Sequence, residues 1–163
     1  MGVGKSSIGK RLANRLNCDF IDLDSRIEEI ENRSITAIFE EETEESFREI
    51  ERRILLKEIH DNSVIATGGG APCYKNNLDK MLESGVVVWL KLAPEILLSR
   101  LKAKKATRPL IANLSDSELG DFIKKHLSER ELFYRKAPIH FDATNMNQTK
   151  MDELELEIKN YSR

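Results

Sequence analysis

The residues best suited to handling phosphate come first in this chain. Gly4, Lys5 and Ser6, preceded by Gly2, supply the last fixed positions of the pattern G-x-x-x-x-G-K-[ST]. Glycines at such a loop let backbone N–H groups approach a phosphate. The lysine reaches the β- and γ-phosphates of a nucleotide, and the next hydroxyl holds Mg2+. Ile8, Leu12 and Leu16 recur at i, i+4 and i+8, so the spacing predicts a helix over 8–16 whose N-terminus points at the anion. The first glycine of the pattern, and the strand that feeds such a loop, would lie ahead of Met1. The expectation is therefore that the central strand is missing, and that the literal 163-residue chain is poorly folded or inactive.

Further along, Asp22-Leu23-Asp24 follows a short apolar run. In an extended segment two residues that are two apart point the same way, so both carboxylates are expected to face a ligand crevice at a strand end. One could hold Mg2+ through water, and the other could accept a hydrogen bond from a substrate hydroxyl. Helix capping by Asp24 is an equally ordinary reading and does not exclude the first. Thr67-Gly68-Gly69-Gly70 follows another apolar run. Its glycines clear side chains from the crevice so that a ligand can meet backbone N–H groups, although a plain tight turn would also use glycine. Arg48 and Arg130 each sit among acidic residues. They are either surface ion-pair partners or bidentate grips for a carboxylate, and spacing alone does not choose. The stretch 102–114 is basic in its first half and broken at Arg108-Pro109. Beside a phosphate loop it reads as a lid whose arginine closes over ATP.

These residues need a scaffold. Strands are predicted at 20–22, 64–67, 86–90 and 139–143, and helices at 25–31, 34–40, 44–60, 94–101, 117–133 and 150–158. Phe47, Ile50 and Ile54 mark one helical face, Pro94 suits a first helical position, and Ser115 with Glu118 has capping-box spacing. Alternating strands and helices imply an α/β fold with a parallel sheet covered on both faces. A phosphate loop needs one further strand, central in the sheet.

Bulk properties narrow the class. A length of 163 residues suits one domain, 1–163. The net charge of -2 gives no global field favouring nucleic acid or an anionic membrane, and no apolar run reaches transmembrane length. Cys18 and Cys73 have no metal-like spacing and are expected to be reduced thiols of a cytoplasmic protein.

In order and type, Gly2–Ser6, Phe20–Asp24, Phe47-Arg48-Glu49, Thr67–Gly70, Arg108-Pro109-Leu110 and Arg130-x-x-x-Tyr134 resemble the shikimate kinases, a family of nucleoside-monophosphate-kinase-like P-loop kinases. The resemblance implies a three-layer parallel sheet flanked by helices, and phosphorylation of the 3-hydroxyl of shikimate with ATP and Mg2+. It implies that Gly2, Val3, Gly4, Lys5, Ser6 and Ser7 bind the nucleotide, with Arg100 near the adenine. Ser6 and Asp22 would serve the metal. Asp24 would be base or orienter, with Lys5 and Arg108 catalytic on the phosphoryl group. Arg48 and Arg130 would hold the shikimate carboxylate, and Gly68, Gly69 and Gly70 its ring. The partner expected is a small molecule alone, with the protein a monomer. Another small-metabolite kinase, such as a gluconate kinase, or an inactive nucleotide-binding regulator, are the other readings.

Overall fold

The computed structural model describes residues 2–103, 111 and 113–161. Helix α1 (Lys5–Leu16) opens on Gly4, whose φ of 97° is left-handed and strained for any side-chain-bearing residue. It buries Ile8, Leu12 and Ala13 and closes at Asn17, also left-handed, with the Cys18 N–H returned to the Ala13 carbonyl at 2.9 Å. Strand β1 (Asp19–Asp22) runs directly into α2 (Leu23–Glu31). Next come α3 (Ile35–Glu41) and α4 (Glu44–Glu58), capped by Ser34 and Thr43, whose hydroxyls accept the Ala37 and Ser46 N–H groups. Strand β2 (Ser63–Ala66) leads through the glycines to a 3-10 turn (Ala71–Cys73), α5 (Asn77–Ser84) and β3 (Val88–Lys91). Helices α6 (Pro94–Lys102) and α7 (Asp116–Tyr134), strand β4 (Ile139–Asp142) and α8 (Gln148–Tyr161) complete the described elements. The capping box expected at α7 forms: Ser115 Oγ accepts the Glu118 N–H at 3.3 Å, and the Glu118 carboxylate accepts the Ser115 N–H at 2.6 Å.

Strands pair in parallel, β1 with β2 (Asp19 opposite Ser63) and β3 with β4 (Val88 opposite Ile139). Parallel neighbours require crossovers, and α2–α4 and α6–α7 supply them. Among the described residues the free edges of β2 and β3 border a shared apolar slot of about 840 Å3, walled in part by Val64, Ile65, Val88, Leu90, Leu12 and Leu127. The slot lies between the two strand pairs.

The apolar residues collect in two clusters. One joins α1, α6, α7, α8, β4 and Ile111 through Leu12, Leu101, Leu119, Ile139 and Met151. The other joins α2, α3 and α4 through Leu23, Ile27, Ile38, Phe47 and Ile54. Arg15 ties α1 to α8 by pairing with Glu155 at 2.6 Å and with Asp152.

Two local expectations are corrected. The Asp22-Leu23-Asp24 segment is not extended throughout. The strand stops at Asp22, which itself caps α2 by accepting the Ser25 N–H at 3.4 Å, and Asp24 lies in the first helical turn. Leu23, fully buried, pulls the helix start inward by two residues. Helix α5 was not expected; it is short, and its first residue, Asn77, is a buried polar group.

Candidate active site

The phosphate-handling end lies where α1 begins. Gly2 and Gly4 both have positive φ (70° and 97°), which turns successive backbone N–H groups toward one side. The first bond of the helix is from the Ile8 N–H to the Gly4 carbonyl at 3.0 Å, so the N–H groups ahead of it open outward at the positive end of the dipole. Ser6 and Ser7 are exposed on that first turn, and Lys5 lines the slot that runs past the loop. Val3 is buried and holds the loop in the core. Arg100, near the end of α6, donates Nη1 to the Val3 carbonyl at 3.0 Å. This places a guanidinium beside the Gly2–Gly4 loop. Arg108 and most of the expected lid lie outside the described residues.

The second half of the site is built around Gly68–Gly70, at the carboxyl end of β2. On one side stands α4. Arg48 Nη1 donates to Glu51 Oε2 at 2.5 Å, and Arg48 Nη2 to Glu44 at 3.3 Å. A Cβ on Gly70 would fall 2.5 Å from Arg48 Nη2, and one on Gly68 would overlap Glu51 Oε1. In both cases the near atom is the far end of a flexible side chain, so an added Cβ would displace Arg48 or Glu51 from its present position. Asp24 reaches the same place from α2: its Oδ1 lies 3.6 Å from where a Cβ of Gly68 would be. On the other side stands α7, where the Tyr134 hydroxyl donates to the Gly69 carbonyl at 2.5 Å.

Electrostatics bind these groups into one cluster. Burial pushes the Glu51 carboxyl above the usual carboxylate range. Arg48 opposes this by charge and hydrogen bond, Asp24 adds to it, and Arg130 opposes it. Burial would lower the Arg48 guanidinium, but the Glu51 charge and hydrogen bond hold it above its ordinary value. The Cys73 thiol is raised by burial, with Arg130 and Arg48 both acting against that rise. Arg48 on α4 and Arg130 on α7 thus both act by charge on Glu51 and Cys73. Arg48 is no surface ion-pair residue: its side chain is only 13 % exposed and its partner Glu51 is fully buried.

Glu51 closes the F-R-x-x-E pattern that runs from Phe47 and was given no role of its own in the sequence, although it stands one helical turn beyond Arg48, a spacing at which side chains meet. Its Oε1 is buried and has no hydrogen-bond partner among the described residues. Tyr134 was noted in the sequence without a role.

No group of three or more His, Cys, Asp or Glu side chains suited to a metal occurs among the described residues. Ser6 is exposed on the first turn of α1, and Asp22 ends β1.

A loop of this shape, set at a helix N-terminus and at the carboxyl ends of parallel strands, makes the protein a nucleotide-binding P-loop kinase by fold. Comparison with known proteins narrows the class. Residues 1–159 match the family model described as shikimate kinase. The chain is 46 % identical over 148 residues to the shikimate kinase of Parabacteroides distasonis, covering 90 % of this chain and 85 % of that one. It is 44 % identical over 155 residues to that of Azobacteroides pseudotrichonymphae, covering 94 % and 91 %. The crystal structure of shikimate kinase from Bacteroides thetaiotaomicron superposes with a TM-score of 0.89 at 36 % identity, over 99 % of this chain and 93 % of that one. Shikimate kinase from Acinetobacter baumannii, solved in complex with shikimate, gives 0.85 at 31 % identity, over 99 % and 88 %. The chain belongs to the shikimate kinase family, and it is an enzyme with ATP-dependent shikimate kinase activity.

Proposed function

We propose that the chain transfers the γ-phosphoryl group of Mg-ATP to the 3-hydroxyl of shikimate, giving ADP and shikimate 3-phosphate. The reading is carried by Arg48 against Gly70 and Asp24 beside Gly68, with Arg130 one helical turn before Tyr134, whose hydroxyl bonds the Gly69 carbonyl. A guanidinium pair suits a planar carboxylate, and side-chain-free backbone suits a flat hydroxylated ring. Binding by the carboxylate, away from the reacting hydroxyl, positions that hydroxyl for transfer.

Each residue then has a task. The Gly2–Ser7 loop receives the phosphates, and Lys5 neutralises charge that develops on the phosphoryl oxygens. Mg2+, when bound, screens the phosphate charge, with Ser6 and Asp22 as its protein oxygens. Asp24 orients the 3-hydroxyl and accepts its proton as the oxygen–phosphorus bond forms. Arg100 flanks the base end of the nucleotide. Arg108, outside the described residues, would neutralise charge on the phosphoryl group, as the family resemblance implies. The protein acts as a cytoplasmic monomer on small molecules alone.

Calorimetric titration tests the substrate half. Arg48→Lys and Arg130→Lys keep charge but lose the planar fork, so each should weaken shikimate binding by roughly 1.5–3 kcal/mol and leave Mg-ATP binding nearly unchanged. Normal shikimate binding by both variants would remove the arginines from the site.

A further inference from the structure

Tyr134 is the last residue of α7, one turn beyond Arg130. Its hydroxyl donates to the Gly69 carbonyl at 2.5 Å. Its ring packs on Trp89 of β3, centroids 5.6 Å apart and tilted by 46°, and Trp89 in turn meets His140 of β4 edge-on at 5.1 Å. Burial raises the phenol above its ordinary value, while the charge of Arg130 and a hydrogen bond with it act the other way. One side chain therefore joins three things: the arginine-bearing end of α7, the middle glycine of the ligand segment, and the floor formed by β3 and β4. On the opposite side of that segment, Gly70 lies against Arg48 so closely that no Cβ fits between them. The glycine segment is thus clamped between the two helices that carry the arginines.

We infer that Tyr134 is a positioning residue for substrate binding: its hydroxyl, by tying the end of α7 to Gly69, sets the span between Arg130 and Arg48 and so the width of the carboxylate grip. The inference rests on the reading of those two arginines as that grip. Ring packing on Trp89 alone would hold α7 against the sheet but would leave the helix free to rotate or slide along the glycine segment. A directional O–H bond to the backbone removes that freedom. The Gly69 carbonyl that it satisfies belongs to the surface on which the ring would lie.

Tyr134→Phe separates the two contributions, because it keeps the ring on Trp89 and deletes only the hydroxyl. The expected result is a rise of about tenfold in the shikimate dissociation constant, equivalent to about 1.4 kcal/mol. Mg-ATP affinity should stay within about twofold and the melting temperature within a few degrees, since the ring still packs. Combining Tyr134→Phe with Arg130→Lys should give less than the sum of the two losses, because both act on one contact. Trp89→Phe, which leaves the hydroxyl in place, should bind shikimate nearly normally. If Arg130→Lys weakens shikimate binding and Tyr134→Phe does not, the positioning role is wrong while the carboxylate grip stands. If neither variant affects shikimate, the grip itself fails and the inference falls with it. A Tyr134→Phe protein that melts much lower and loses both ligands equally would show a purely structural role and overturn the inference.

Discussion

Arg48 and Glu51 lie one turn apart on α4 and bond at 2.5 Å, with the Glu51 side chain fully buried and its second oxygen unpartnered. The pair holds the guanidinium against Gly70. It also carries a cost, since burial opposes the charge on Glu51 more strongly than Arg48 supports it.

That cost has a sign. The folded protein holds a proton on Glu51 at higher pH than the unfolded chain does, where a Glu titrates near about 4.3. The contribution is therefore fully present below the ordinary carboxyl range, and it is lost as pH rises through the raised folded value. Glu51→Gln removes this dependence. Melting curves of both proteins from pH 4 to 8 should show the stability of the native protein relative to the variant falling as pH rises. A constant difference, or one that grows with pH, would contradict the burial of an unsatisfied carboxyl.

Gly70→Ala tests close approach rather than charge. Its φ of -87° is open to alanine, so the backbone need not change. The new methyl group would meet the Arg48 guanidinium at 2.5 Å and displace it. Shikimate affinity should drop by roughly 1.5–3 kcal/mol, the range for a hydrogen bond to a charged group, with Mg-ATP affinity retained. Titrating both ligands into the variant checks this; unchanged shikimate binding would mean that Arg48 has room to move without loss.

The slot between β2 and β3 makes a prediction about stability. A β-branched segment of about 8–12 residues fused ahead of Gly2 can lie between the two strand edges and pair with both. If filling the slot yields a net gain of ~2 kcal/mol, the melting temperature should rise by about 4–8 °C. A fused Gly/Ser segment of equal length should not raise it. Equal melting temperatures for the two fusions would show that the slot does not accept a strand.

How far the site was legible in the sequence depends on how local each signal is. The phosphate loop, the cap at Ser115, Pro94 and the strand–helix alternation are set by neighbours in sequence, and all stand in the structure at the expected places. Asp24 stands beside Gly68, but the geometry assumed for it was extended, because the burial of Leu23 that starts α2 early is a tertiary effect. Arg48 could not be told from a surface ion-pair residue, since only the fold buries Glu51 beneath Gly68. The link from Tyr134 to Gly69 spans 65 residues and has no local trace.

In the proposed mechanism Asp24 acts in the chemical step. Asp24→Asn preserves size but loses the charge that orients and deprotonates the hydroxyl, and loss of a general base costs on the order of 10²–10⁴-fold in rate. Steady-state kcat with saturating shikimate and Mg-ATP is the measurement. A variant within about threefold of the native rate would take Asp24 out of the mechanism.

The central claim is tested most directly by following ADP release in the presence of Mg-ATP, with and without shikimate, and identifying the phosphorylated product by mass spectrometry and 31P NMR. The account predicts ADP release that depends on shikimate, stoichiometric formation of shikimate 3-phosphate, and no comparable turnover with gluconate. ADP release at the same rate with and without shikimate, or faster with gluconate, would contradict it.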